Sequence, residues 1–473
     1  MSVSATSDHR SPRVGRVWIL LRLALLAGLA WFYVLGATRH AEEVNWFKAR
    51  GDQSSFLGVA ELEYHNWHDD APAQMLPRNI MPLYPAYLAL FYDPELSDDD
   101  YFLVAKKWNI RLSLGIVVVL GLVFAWHLPP IVSTNLTLIV AFGYFIFKAG
   151  YAQPETLYYF LLFLTFLCFS YLLQERRSTA SLMLGALGGV LAALTHLTKA
   201  DLAPLVGTFA VAYLFGELIR FLAARRSSAR SHQGEWLPTV GWRLVALGLL
   251  LSCFFLALLP YATTSRRVFG SYFYNASTTY YVWYDSWGEA ATDLRAAGVE
   301  LHPPARLPAD LPSFGKYWRQ HTVRQMAGRL ADGFWNMIER SYQTYWYFKF
   351  VVLYVAYASA LVAANWKAFV ALLRDHAPLA LFIALYGVVS LVATAFYNPI
   401  SATGTTRYII ALLTPFFFTV AYFTTRQPFC QTRWQVAGIS MTPAHVDLFI
   451  STTLAFDLAF ALWPRLMTTY GGF

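Results

Sequence analysis

Ten ionisable side chains, drawn from six separate segments, fall where long apolar runs come to an end. They are Asp52 in "GDQSSF", Arg78 in "PRNIMPLYP", Lys148 and Glu155 in "FKAGYAQPETLYYF", His196, Lys199 and Asp201 in "LTHLTKAD", Arg266 and Arg267 in "TTSRRVFG", and Arg407 in "GTTRYIIALLTP". Taken singly, each has an ordinary explanation: a charged group closes a helix by reaching for the membrane interface. Taken together, with an acid at the start and several cations among them, they form an inventory for handling a phosphate. Arginine offers a planar fork to phosphate oxygens, lysine offers a point charge, and a positioned carboxylate can take up a proton. The stretch "SYFYNASTTYYVWYDSW" at 271–287 adds flat aromatic faces with polar edges, which suit a sugar ring or a membrane headgroup region equally.

The elements that must carry these residues follow from composition. The chain has 473 residues, of which 57% are hydrophobic, 17% aromatic and only 14% charged, with a mean hydropathy of +0.42. That is too apolar for a soluble protein of this length. Runs of about 20 apolar residues, the length needed to span a bilayer, recur near 17–36, 110–127, 130–149, 154–174, 181–199, 202–222, 243–263, 346–365, 377–397, 408–424 and 445–463. The expectation is an all-α polytopic membrane protein of about eleven transmembrane helices, forming one domain over residues 1–473. Arg10, Arg13 and Arg16 before the first run keep the N-terminus cytoplasmic. Alternation then puts Arg176, Arg177, Arg225, Arg226, Arg230, Lys367, Arg374, Arg426 and Arg433 on the same side, as the positive-inside rule requires. Two long loops, 37–108 and 264–345, are left outside, and with them all ten residues above. In these loops 37–92 reads as one or two surface helices, and "YWRQHTVRQMAGRLADGFWNMIERSYQTYW" as a helix capping the site.

The net charge of +8 needs only anionic lipid headgroups as its partner, not nucleic acid. Three cysteines, two of them inside expected spans, give no disulfide framework. The segment "EYHNWHDD" at 63–70 has His65, His68, Asp69 and Asp70 at spacings that metal ligands use, but Leu62, Tyr64 and Trp67 make it read first as an amphipathic interfacial helix. Asp98, Asp99 and Asp100 suit an acidic helix start. Two acids sit within spans: Glu217, where Arg220 offers a local ion pair, and Asp457 in "LAFDLAF", for which the sequence supplies no partner.

The order of these strings resembles the GT-C superfamily of membrane glycosyltransferases, in particular the bacterial branch similar to protein O-mannosyltransferases and the lipid A aminoarabinose transferase. The resemblance rests on "GDQSSFLGVAE" opening the first loop, "MPLYPAYLALFY" later in it, "QPETLYYFLLFL", "LTHLTKADLAP" and "TTRYIIALLTPFF". It implies transfer of a sugar from a polyprenyl-phosphate donor to a lipid, glycan or protein acceptor, with inversion, on the external face of a bacterial plasma membrane. By the same resemblance Asp52 is the catalytic base, Arg407 and Lys199 hold the carrier phosphate with His196, Arg78 and Tyr408 as further candidates for substrate or phosphate binding, and Glu155 touches substrate. The chain departs from the family in carrying a single acid in "GDQ", where several relatives have two in a row. The sequence leaves the cofactor open, and a divalent metal is not indicated. A transporter or flippase of a lipid-linked saccharide is the competing class. It calls for ionisable groups deep in several spans and for an internal repeat, and no repeat of fixed period is present.

Overall fold

The structure, a computed structural model, describes the chain except for residues 1–11, 46–47, 50, 71, 73, 175–177, 228–235, 304–305, 309, 345–346, 402–404, 437–438 and 471–473. Helix α1 (Pro12–Glu43) is followed by two short helices, α2 (Asp52–His68) and α3 (Leu83–Ala89). Next come α4 (Asp98–His127), α5 (Pro130–Ala149), α6 (Glu155–Gln174), α7 (Ser178–Thr198), α8 (Ala203–Ser227) and α9 (Trp236–Phe269). A second run of short helices holds α10 (Trp287–Ala297), α11 (Phe314–Gln320) and α12 (Val323–Thr344). Helices α13 (Phe348–Ala364), α14 (Trp366–Asp375), α15 (Ala377–Tyr397) and α16 (Thr405–Thr424) lead to a small antiparallel hairpin, β1 (Trp434–Val436) and β2 (Ile439–Met441), and then to α17 (Pro443–Thr468).

Among the described residues nine helices are long and apolar enough to cross a membrane, and the bent pair α13–α14 makes a tenth. The all-α expectation therefore holds, with up to ten of the expected spans present among the described residues. Part of the first expected span, 17–36, is carried by α1, whose side chains before Ala24 lie outside the described residues, as do those of Arg10, Arg13, Arg16, Arg176, Arg177, Arg225, Arg226 and Arg230. The stretch expected as one capping helix is two. Helix α11 ends and α12 begins across His321 and Thr322, where a capping box forms: Thr322 Oγ1 accepts from the Gln325 N–H, and Gln325 Oε1 accepts from the Thr322 N–H.

Local chemistry explains the other boundaries. Ser97 accepts from the Asp100 N–H and so caps α4, whose first turn carries the three acids that its dipole favours. Close helix contacts rely on glycine: a Cβ on Gly189 would stand 2.2 Å from the Leu250 carbonyl oxygen, and one on Gly185 2.4 Å from that of Ala246, so α7 and α9 meet backbone to backbone. The core between the long helices is aromatic, with Tyr33, Phe124, Tyr144, Phe145, Tyr159, Tyr213 and Tyr354 all fully enclosed.

Both acids within the expected spans find partners. Glu217 pairs with Arg220 and also with Arg243 of α9, a buried residue whose Nε lies 2.5 Å from the carboxylate. Asp457 pairs with Lys349 at the start of α13. It opens a π-helical turn, Asp457–Ala461, whose extra residue re-aims the side chains of α17.

Candidate functional site

Asp52 opens α2 directly after Gly51, whose backbone has φ 57°, a left-handed conformation that favours glycine. The helix start gives the carboxylate a favourable dipole. The next residue, Gln53, is fully buried and bound on all sides. Asn45 Nδ2 donates to Gln53 Oε1 (2.9 Å) and to the Gly150 carbonyl (3.0 Å), and Gln53 Nε2 donates back to Asn45 Oδ1 (3.0 Å). The Ala152 N–H also donates to Gln53 Oε1 (3.0 Å), and Lys106 Nζ donates to the Asn45 carbonyl (2.8 Å). This brace locks the first turn of α2 to the α5–α6 connection, and so fixes Asp52 relative to Glu155.

Four segments then close on one another. Arg407, in the first turns of α16, places a guanidinium nitrogen 2.6 Å from Asp52 Oδ2 and 3.7 Å from Glu155 Oε1. Its carbonyl accepts from the Tyr159 hydroxyl at 2.8 Å, which seats α16 against α6. Lys199, just past α7, holds its ammonium 3.9 Å from Glu155 Oε1 and 3.7 Å from Asp201 Oδ2. The same ammonium stands 4.1 Å from the ring centre of Tyr408 and 5.4 Å from that of Tyr158, and Tyr397 packs edge-on against Tyr408. Lys148, buried at the end of α5, adds a third cation within electrostatic reach of Asp52, Glu155, Arg407 and Lys199.

Three acids (Asp52, Glu155, Asp201) thus face three cations (Arg407, Lys199, Lys148). The balance is loose. Glu155 Oε2, Lys199 Nζ, Arg407 Nε and Asp201 Oδ2 are buried and have no hydrogen-bond partner among the described residues. Asp52 lies at the open edge of the group, its side chain about half exposed (53%), while Glu155 is enclosed (2%). Partial desolvation pushes the Asp52 carboxyl upward, but the Arg407 guanidinium, helped by Lys199 and Lys148, outweighs it and holds the carboxyl below its usual range. Desolvation and the neighbouring Arg407 lower Lys199, against the pull of Asp201, Glu155 and Asp52.

Of the site residues expected from the sequence, Asp52, Arg407, Lys199, Glu155 and Tyr408 come together. Arg78 and His196 gather instead around Tyr261: the Arg78 guanidinium lies 4.4 Å from that ring's centre and the His196 ring packs edge-on against it. Arg78 is buried and pairs with no carboxylate among the described residues. Its backbone is tied to the Glu300 carbonyl and the Ala276 N–H, joining the first run of short helices to the second. The two groups adjoin, because His196 is one helical turn before Lys199 and feels the charge of Asp201. Arg266 turns away to the Gly270 carbonyl and Tyr272. In the 63–70 stretch His65 pairs with Asp69 at 3.0 Å, while His68 bonds its own helix at the Tyr64 carbonyl and stacks on the Tyr64 ring. Among the described residues no three His, Cys, Asp or Glu side chains converge as a metal-ligand set.

Asp201 and Lys148 are members of the cluster that motif matching does not single out, although their place at the ends of apolar runs marks them. Asn45 and Gln53 carry no such mark. Away from the cluster lie an open recess of about 450 Å³ at the α13–α14 bend (Ala363–Ala368) and a crevice of about 50 Å³ between α6, α15 and α16 lined by Ser170, Tyr171 and Tyr422.

No protein-family model, curated protein or solved structure matches this chain.

Proposed function

We propose that the protein is a membrane glycosyltransferase of GT-C type, which moves a sugar from a polyprenyl-phosphate donor to an acceptor hydroxyl or amide on the face of the membrane away from its N-terminus. The observation that carries this reading is the meeting of Asp52, Arg407, Glu155 and Lys199 within 4 Å of one another in turn, from segments up to 355 residues apart. A carboxylate at an open edge, backed by cations whose hydrogen-bonding capacity is not filled by the protein, supplies the two things the reaction needs.

The chemistry follows from those positions. The acceptor group gives its proton to Asp52, and its oxygen or nitrogen attacks the anomeric carbon from the face opposite the phosphate. The bond between that carbon and the phosphate oxygen breaks, and its electron pair stays on the phosphate. Arg407 and Lys199 neutralise the charge as it develops, so no proton donor is needed on the leaving-group side. Arg78, buried without a carboxylate beside it among the described residues, can take part of the same anionic group. Arg407 then has two tasks in sequence. Before the donor arrives it holds Asp52; an entering phosphate competes for the guanidinium and frees the carboxylate, whose proton affinity rises when the cation moves off.

The test is transfer by purified protein from a panel of polyprenyl-phosphate sugars, with wild type beside Asp52→Asn. A general base contributes about 10²–10⁴ in rate, so turnover should fall by that factor. Equal turnover in the variant, or none by wild type with any donor, would remove the proposal.

A further inference from the structure

We infer that α14 is a docking surface for anionic lipid headgroups, on the boundary opposite the Asp52 cluster. The sequence marks this region only as a basic loop, with Lys367 and Arg374; the structure makes it a helix bent 100° away from α13. Asn365 makes the bend. Its side chain donates to the Leu361 carbonyl (3.0 Å) at the end of α13 and to Thr432 Oγ1 (2.7 Å) in the connection after α16, while its own carbonyl accepts from the Phe369 N–H (2.9 Å). The helix is therefore held across the ends of α13 and α15 and does not continue either.

Its surface divides into three strips. Ala368, Phe369 and Leu372 turn inward onto Tyr357, Leu361 and Phe429, with the Phe369 ring 5.8 Å from that of Phe423. Trp366, Val370 and Leu373, one helical stripe, are left exposed, Trp366 by 60%. Lys367 and Arg374 rim that stripe. Beyond them stand Arg426, whose guanidinium rests 4.1 Å from the Tyr422 ring centre, and Arg433, both exposed. None of these four cations pairs with a carboxylate among the described residues, and the helix itself carries one acid, Asp375, at its last position.

Continuity names the occupant. The stripe begins two residues beyond the end of α13, whose outward face (Val352, Val355) is itself apolar and exposed, so it extends the surface that a bilayer would cover. A helix lying at the end of two spans, with a tryptophan stripe toward the acyl chains and unpaired cations at its rim, matches a leaflet rich in acidic phospholipid. The inference rests on reading α13 and α15 as membrane spans and not on the proposed chemistry, so either can fail alone.

The experiment uses the full-length protein in detergent, titrated with phosphatidylglycerol or phosphatidylcholine and read by native mass spectrometry. The variant Lys367→Gln/Arg374→Gln/Arg426→Gln/Arg433→Gln removes exposed, unpaired charges and should fold as wild type does. The expected result is at least about tenfold weaker retention of phosphatidylglycerol by the variant with phosphatidylcholine unchanged. In proteoliposomes, brominated lipid should quench a fluorescence component that Trp366→Phe lacks. Equal retention of the acidic lipid by both proteins, or a Trp366 component that bromine leaves unquenched, would overturn the inference. So would a dimer in detergent that the four-site variant dissolves, which would assign the face to a second copy of the chain.

Discussion

Two ion networks, at opposite ends of the bundle, show how the same residue types serve different ends. At one end Glu217 is gripped by Arg243 at 2.5 Å and by Arg220 one turn away, with the Tyr213 hydroxyl donating to the Arg243 carbonyl at 2.6 Å. At the other, Glu155 stands 3.7 Å from Arg407 and 3.9 Å from Lys199, and the short contact is the one between Arg407 and the half-exposed Asp52. The first network devotes its cations to a single buried carboxylate and holds α8 to α9. The second spreads three cations over three acids, with its contacts to Glu155 at 3.7 and 3.9 Å, and leaves four buried polar atoms without a hydrogen bond among the described residues, where the first leaves one, Glu217 Oε2. A tight pair is a structural joint, and a loose one leaves charge available to a ligand.

Substitution should separate the two roles. Arg407→Gln takes away the cation nearest to the base, and kcat/KM for transfer should drop about 10²–10³-fold, a loss that correcting for the folded fraction leaves in place. At the other network, Arg243→Gln leaves Glu217 short of a buried partner. It should lose about 3–5 kcal/mol of stability, with activity per folded molecule retained, and exchanging both partners for apolar residues of similar volume should recover most of the loss.

Glu63 sharpens the contrast from within α2, where burial without an ion pair among the described residues raises its carboxyl from 4.5 to about 7. A raised acid binds its proton more tightly in the folded state. Its burden on stability is therefore absent below about pH 4.5, grows as the pH rises toward 7, and is complete above that. Glu63→Gln should stabilise the protein by up to about 3 kcal/mol at pH 8 and by almost nothing at pH 4, as chemical unfolding at the two values would reveal. The sign is opposite for Asp52, held low by Arg407. The Asp52–Arg407 pair contributes above the ordinary carboxylate value and fades as the pH falls through the lower folded one. The stability difference between wild type and Asp52→Asn should accordingly be flat above about pH 5 and close as the pH drops below about 4. Smallest is the brace. Gln53→Ala leaves Asn45 Oδ1 and the Ala152 N–H without the partners they have here, for about 1–3 kcal/mol. Turnover should fall while the affinity for donor stays the same.

Much of this is legible in the residues. Apolar run length locates the long helices, because spanning length is a property of local composition, but it misses polar extensions such as the first twelve residues of α4, which begins at Asp98 and not near 110. The charged residues at run ends point to the cluster, and Asp52 and Arg407 do meet. What stays hidden depends on helix rotation. Arg243 reads as the first residue of a span and proves to be a buried partner of Glu217, because the Gly185 and Gly189 contacts set how α9 turns against α7. Lys349 and Asp457 lie far apart in the chain, and the π-helical turn that brings them together leaves no periodic trace. Gln53 reads as the absence of a second acid, yet it is a buried amide used on all sides. The bend at Asn365 escapes the sequence because an apolar run followed by basic residues has the same pattern whether the chain continues as loop or as helix.

The most direct test of the central claim is the affinity of Asp52→Asn for a polyprenyl-phosphate sugar, measured by titration beside wild type. If Arg407 divides its time between the base and the phosphate, removing the negative charge of Asp52 should tighten donor binding even as transfer is lost. Weaker donor binding in the variant, with transfer intact, would contradict the account.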